Sequence, residues 1–350
     1  MSTGPAPHLW LRNEDAPTEH RTPLTPGDAG ELVAAGIAVT VEESGRRAFP
    51  AAEYAAAGCR LAPTGSWPRC AAETVVLGLK EPAGTRELRH RHVFFGHAYK
   101  GQAGAGRLLA RFAAGGGELL DLESLVDESG RRVAAFGYWA GYLGAALAAR
   151  HRAGTRTAPL RSTSRSEVDE RVRGCAPGAR ALVIGALGRA GRGACDALAL
   201  AGADITRWDL AETRVVDREQ VLAHELLVNA VASDRPAPPF VTADDLPRTD
   251  RRLSVISDVT CDVTSDHNRL PVNAQVTDWA EPVRRLRADP PLDVIAIDNL
   301  PSLVPREASA AFSADLLAHL RTVFTGAPVW ERCAEEFRAA LRGPVGGGNR

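Results

Sequence analysis

The chain has 350 residues, enough for two domains of ordinary size, and its 42 Lys and Arg nearly balance 43 Asp and Glu. That balance gives no electrostatic reason to expect nucleic acid or a membrane surface as partner, and no run of about eighteen apolar residues is present to span a bilayer. Hydrophobic residues make up 45%, much of it alanine, so the packing must lean on small side chains and close helix contacts. The N-terminal MSTGPAPHLWLRNED lacks the basic-then-apolar pattern of an export signal, and the expected compartment is the cytoplasm. Six cysteines stand singly, without a C-x-x-C pair, and read as reduced thiols; neither a disulfide nor a metal is expected.

Taken in order, LTPGDAGELVAAG (24–36) predicts a helix with Thr25 as N-cap, Pro26 at its first position and Gly36 as its stop. IAVTVEES (37–44) is a β-branched strand, and TVVLGLK (74–80) and HVFFGH (92–97) are two more short apolar runs. GQAGAGRLLARFAAGGG (101–117) has helical periodicity and precedes the strand ELLDLE (118–123). Residues 131–150 predict one long Gly/Ala-rich helix beginning at Arg131 and Arg132. The Ser/Arg/Thr-rich stretch after it predicts an exposed loop leading into a polar helix. From residue 180 a second unit runs strand, glycine turn, helix and strand, closing on Asp209. ELLVNAV (225–231), RLSVISDV (252–259) and LDVIAID (292–298) supply further buried strands. Two amphipathic helices follow, and GPVGGGNR at the end predicts a disordered tail. Helices between short buried strands imply parallel sheets with crossover helices.

The glycine turn carries the first chemical signal. Gly185, Gly188 and Gly191 stand three apart, with a strand before them, a helix after them, and Asp209 eighteen residues past Gly191. Glycines let backbone amides approach a pyrophosphate at a helix N-terminus, and an acid at the next strand end binds a ribose diol. Ala186 stands where G-x-G-x-x-G has its first glycine. The acid favours NAD over its 2′-phosphorylated form, with Arg207 the nearest cation to weigh against it. A second signal is that Lys80 and His97 each close an apolar run. Both should therefore lie at the carboxyl edge of a parallel sheet, where open α/β folds bind ligands. An amine and an imidazole there, with Lys100 and Gln102 nearby, suit proton transfer. Arg21, Arg131 and Arg132 are candidates to clamp carboxylates, with Glu19 and Glu123 to moderate their field.

At these residues the sequence resembles NAD-dependent, lysine-forming saccharopine dehydrogenase, a relative of alanine dehydrogenase and of the nucleotide transhydrogenase subunit. The resemblance rests on RTPLTP, GLKEP, HAYKGQAG, DLESL, GRRVAAFG, VIGALGRAGRGA, IDNLPSLVPREAS and APVW, in that order along the chain. It implies an α/β fold of two Rossmann-like domains with parallel sheets and the active site in the cleft between them. Residues 1–133 with 310–350 would form the discontinuous substrate and catalytic domain, and 134–309 the NAD-binding domain. It implies interconversion of saccharopine with L-lysine and 2-oxoglutarate through an imine, with small amino acid and 2-oxo acid partners and a monomer or weak homo-oligomer. Lys80 and His97 would be the acid–base pair. Arg21, Gln102, Arg132, Phe136, Thr260, Cys261 and Asp262 would contact the substrate. Arg131, Gly188, Arg189, Asp209, Thr213, Val231, Val259, Ile297, Asp298, Asn299 and Leu300 would contact NAD. The family often has lysine where Ala16 stands and histidine where Asn299 stands, and the segment before the glycine turn is shorter here. Two other readings stay open: an opine-type reductase joining 2-oxoglutarate to a different amine, and a non-catalytic NAD-binding regulator.

Overall fold

The computed structural model describes residues 6–99, 104–155, 158–233 and 235–342. The chain divides into two compact units, Met1–Ala135 with Pro305–Arg350, and Phe136–Val304. Among the described residues no helix is long and apolar enough to cross a membrane.

The first unit is built on β1 (His8–Leu11), α1 (Pro26–Ala34), β2 (Ala38–Glu42), α2 (Ala51–Ala56), β3 (Arg60–Ala62), β4 (Val75–Leu77), β5 (Arg91–Phe94), α3 (Ala105–Gly115) and β6 (Glu118–Asp121). Its six strands are all parallel, in the order β3-β2-β1-β4-β5-β6. The order reverses between β1 and β4, which opens the crevice that ligands use in such sheets. The predicted first helix forms as its caps dictate. The Thr25 side chain accepts from the Asp28 amide at 3.2 Å, and Gly36 takes a left-handed φ of 84° beyond the last turn. Two later helices, α8 (Pro305–Leu320) and α9 (Pro328–Arg342), belong to this unit. Ser309 and Ser313 of α8 receive the amides of Thr22 and Thr25 at 2.9 and 3.0 Å, which ties the loop after β1 to that helix. Phe337 of α9 closes an apolar cluster with Phe94, Phe112, Leu108 and Leu119.

The second unit contains α4 (Gly137–Arg152), α5 (Arg165–Val172), β7 (Arg180–Ile184), α6 (Arg189–Ala201), β8 (Asp204–Trp208), α7 (Arg218–Leu222), β9 (Leu226–Asn229), β10 (Val255–Asp258), β11 (Arg284–Arg287) and β12 (Leu292–Ile295). Its order is β11-β12-β10-β9-β7-β8, with the reversal between β7 and β9. Five strands are parallel, and β11 is an edge strand that pairs antiparallel with β12. Its sequence, RRLR, has no apolar alternation, so it had no signature as a strand.

The central helix starts later than its composition predicts. Arg131 and Arg132 precede it: Asp127 accepts the amides of Ser129 and Arg131 in a tight turn, Gly130 takes φ 77°, and Arg132 bridges to Val126. Phe136 is the cap, and α4 runs from Gly137. Local aspartate-to-backbone bonds outcompete the helix over those residues. From there α4 and α6 pack backbone to backbone. A Cβ on Gly141 would come within 1.8 Å of the Ala190 carbonyl oxygen, and one on Gly193 within 2.0 Å of the Tyr138 carbonyl oxygen. This contact is what the glycine and alanine content of both helices permits.

Candidate active site

In the first unit, the loops that leave β1, β4, β5 and β6 carry a charged cluster. Lys80 lies three residues past β4, and His97 three past the neighbouring β5. The main chain at Lys80 is held from below by two buried residues that follow β1. Glu14 accepts the Leu79 amide at 2.6 Å and the Lys80 amide at 3.1 Å, one on each oxygen. Arg12 pairs with Glu14 at 3.4 Å, donates to the Lys80 carbonyl, and occupies the space a Cβ on Gly78 would need. Burial raises the Glu14 pKa, opposed by the Arg12 charge and the two amides. Glu19 grips Arg21 with both oxygens at 2.7 and 2.6 Å, and both side chains are buried. Burial works against the Glu19 carboxylate, yet Arg21, helped by the charge of Lys80, holds its pKa below the ordinary value.

His97 sits at φ 49°, in a left-handed conformation that non-glycine residues rarely adopt. Its Nδ1 bonds Glu123 at 2.7 Å, and its ring stacks on Phe95. The hydrogen bond to Glu123 raises the His97 pKa, burial and the Lys80 charge notwithstanding. Beneath them Asp121 accepts the Gly96 and Glu123 amides at 3.0 and 2.9 Å, and so fixes both loops. The structure thus brings Arg21, Lys80 and His97 to one edge of one sheet, Arg21 and His97 each paired with a glutamate and Lys80 held through its main chain by Glu14. Arg131 and Arg132 lie in the turn before α4, and Phe136 at its cap. Gln102 and Lys100 lie outside the described residues, as does the C-terminal tail.

The second unit collects the remaining candidates at the carboxyl ends of β7, β8, β9, β10 and β12. Gly185 turns out of β7 at φ 83°, and a Cβ on Gly191 would meet the Gly185 carbonyl at 2.0 Å, so the turn requires both. Gly188 caps α6 and offers no side chain to the first-turn amides. Among the described residues and apart from its chain neighbours, a Cβ there would meet the Gly185 carbonyl, at 3.3 Å, and nothing else within 4 Å. Asp209 accepts the Leu187 amide on Oδ2 and the Leu210 amide on Oδ1, at 3.0 and 2.9 Å. Its carboxylate therefore sits beside the glycine turn with lone pairs to spare. Thr213 donates to the Asp209 carbonyl at 2.8 Å and secures that corner. Val231 packs over Gly185, and Val259 follows β10. Arg189 opens α6. Ile297 to Leu300 follow β12, with Asn299 accepting from Trp279 Nε1 at 2.9 Å. A helix start without a side-chain cap, a turn that lacks a Cβ at Gly185, Gly188 and Gly191, and an acid at the next strand end fit a dinucleotide.

Sequence reasoning did not find the network under this edge. Asp258, at the end of β10, accepts from Asn229 and Asn273 at 3.1 Å each and from the Thr260 hydroxyl at 2.7 Å. All three amide and acid side chains are buried. They anchor the Val259–Asp262 loop, in which the Thr260 hydroxyl receives the Asp262 amide at 3.3 Å and Cys261 is held at φ 51°. Burial, together with Asp258 and Asp298, pushes the Cys261 thiol up, so it is a poor nucleophile near neutrality. The available signal was weak: Asp258 directly follows VIS, while Glu14 stands three residues past LWL, after Arg12 and Asn13.

The first part of the chain, residues 10–143, matches the family described as alanine dehydrogenase/PNT, N-terminal domain. A solved L-alanine dehydrogenase superposes with a TM-score of 0.69 at 19% identity, covering 95% of this chain and 93% of that one. The fold is therefore that of the alanine dehydrogenase and transhydrogenase class. A saccharopine dehydrogenase [NAD(+), L-lysine-forming] of Neurospora crassa is 42% identical over 94% of this chain and 95% of its own length. That of Schizosaccharomyces pombe is 38% identical over 96% and 99%. The chain belongs to the family of NAD-dependent, lysine-forming saccharopine dehydrogenases, and its cofactor is NAD.

Proposed function

We propose that this protein interconverts saccharopine and water with L-lysine and 2-oxoglutarate, using NAD. The observation that carries the reading is family membership over nearly the whole chain, joined to an amine and an imidazole at the ends of neighbouring strands. Bound NAD supplies the acceptor and donor of hydride at its nicotinamide ring. Gly188, Arg189, Asp209, Thr213, Val231, Val259 and Ile297, Asp298, Asn299 and Leu300 hold it, with Arg131 added from the turn before α4. Arg21, Gln102, Arg132, Phe136, Thr260, Cys261 and Asp262 orient the substrate, the arginines by pairing with its carboxylates.

Lys80 takes the proton of the secondary amine as the adjacent carbon gives up hydride, leaving an imine. Glu123 engages His97 Nδ1, which keeps the Nε2 lone pair for chemistry. His97 then removes a proton from water as its oxygen adds to the imine carbon. The imine nitrogen takes back the proton held by Lys80, which gives the carbinolamine. This collapses when His97 passes its proton to the nitrogen and Lys80 takes the proton of the hydroxyl, so the C–N bond breaks as the C=O bond forms and lysine and 2-oxoglutarate separate. Two bases divide the proton transfers. The glutamates beside Arg21 and His97 keep the cluster from being wholly cationic, so a base can remain unprotonated there. The enzyme acts in the cytoplasm, as a monomer or weak homo-oligomer.

The test is NADH oxidation with 2-oxoglutarate across a panel of amines, with lysine the fastest. Faster turnover with another amine would make this an opine-type reductase, a reading that Ala16 and the Trp279-bound Asn299 keep in play. No turnover with any amine, while NAD still binds, would make it a regulator.

A further inference from the structure

We propose that Glu14 is a positioning residue for the reaction, acting through the main chain of Lys80. The inference rests on the acid–base reading of Lys80 above and goes beyond it in naming what aims the amine. Three observations carry it. Glu14 is 7% exposed, and its two carboxylate oxygens accept the consecutive amides of Leu79 and Lys80 at 2.6 and 3.1 Å. Arg12, 2% exposed, completes the grip by pairing with Glu14 and donating to the Lys80 carbonyl. The grip also lies at the reversal of strand order, because Arg12 and Glu14 leave β1 and Lys80 leaves β4.

The chain there has left the sheet. β4 ends at Leu77, and the backbone amides of Leu79 and Lys80 need acceptors that the β-ladder does not supply. A surface loop would give them to water and let the lysine wander. A buried carboxylate gives them fixed partners, and two charge-assisted hydrogen bonds leave the Lys80 Cα little freedom. An ionised side chain is costly to bury, and Arg12 is the countercharge that makes it tenable. Because Arg12 and Glu14 neutralise each other, the pair governs where the amine points more than how readily it is protonated. Gly78 belongs to the same device, since a side chain there would displace the Arg12 guanidinium, whose Nε stands 2.5 Å from the Cβ position.

The experiment is a double-mutant cycle on the full-length enzyme, with Glu14→Gln, Lys80→Met and the pair. Glutamine keeps the shape and one acceptor oxygen but loses the second amide acceptor and the charge. Glu14→Gln is expected to lower kcat about tenfold or more, the scale of a misplaced catalytic group, with the KM for 2-oxoglutarate changed less than threefold and NAD affinity unchanged. In the Lys80→Met background it should lower kcat by less than twofold, because the group it positions is gone. Glu14→Asp, which keeps the charge but is one methylene short, should fall between parent and Glu14→Gln. Circular dichroism and NAD binding check folding, and if Glu14→Gln does not fold, the cycle is run with Glu14→Asp. Equal losses in both backgrounds would make Glu14 a general support of the fold and overturn the proposal. So would a normal kcat in Glu14→Gln. If Lys80→Met itself keeps near-normal kcat, the acid–base reading fails on its own, separately from any effect of Glu14.

Discussion

His97 and Lys80 differ in how much of their chemistry the local structure sets. The carboxylate of Glu123 raises the His97 pKa above its ordinary value of 6.5. A base works only when unprotonated, so the limb of the pH–rate profile that His97 controls should lie above pH 6.5, with activity gained as pH rises through it. Glu123→Gln removes the partner that favours imidazolium and should move that limb to lower pH. An unmoved limb would take His97 out of the rate profile. His97→Gln and Lys80→Met should each lower turnover roughly a hundredfold, the usual scale for a lost acid–base group, with little change in NAD affinity. Near-normal turnover with a raised KM for the oxo acid would make them carboxylate binders. At the other edge Asp209 is the proposed diol partner, so Asp209→Ala should remove that bond together with the repulsion of a 2′-phosphate, and calorimetry should show the preference for NAD over NADP narrowed. An unchanged ratio would mean that discrimination lies elsewhere, with Arg207 the first place to look. Lys80 and His97 stood out as candidates because each closes a short apolar run, and Asp209 because it ends the strand after the glycine turn. Asp258 also closes a short run and Glu14 follows one by three residues, yet what they bond lies on distant segments, which spacing along the chain does not reveal.

Among the elements, α4 and α6 show how a weakly patterned sequence becomes specific. Alanine and glycine give α4 no distinct apolar stripe, so its packing partner could not be read in advance; the glycines mark where a backbone must come close. Gly141→Ala should therefore lower stability by about 1–3 kcal/mol or more, through a Cβ placed against the Ala190 carbonyl. A melting temperature equal to the parent's would show that the two helices part at no cost. Strand β5 carries a different element-scale constraint. His92 is fully buried among Trp67, Phe94 and Phe112, neither of its ring nitrogens finds a partner among the described residues, and burial drives its pKa well below 6.5. The folded state then refuses a proton that the unfolded chain accepts below about pH 6.5, so stability falls as pH drops through that value. His92→Leu cannot take up the proton, and the difference in melting temperature between pH 8 and pH 5 should shrink in it. The same difference in variant and parent would assign the acid sensitivity to other groups.

In each unit the candidate residues gather along the carboxyl edge of its own sheet, whose strand order reverses between β1 and β4 in one and between β7 and β9 in the other. Ligands should then read out separately. NAD alone should slow hydrogen exchange at the glycine turn, at Asp209–Leu210 and at Val259–Cys261, while 2-oxoglutarate should protect the loops that carry Arg21, Lys80 and His97. Protection of the Lys80 loop by NAD alone would reassign that loop to the cofactor. Local chemistry, carried by short strings, was enough for the fold class, the glycine turn, the acid that follows it, the cap of α1 and the candidates for proton transfer, because these depend on residues a few positions apart. The late start of α4, the edge strand β11, the strand order, the Arg12–Glu14 grip and the Asp258 network came only with the folded chain. They join residues tens of positions apart, and a hydrogen bond between distant segments has no period along the sequence that could announce it.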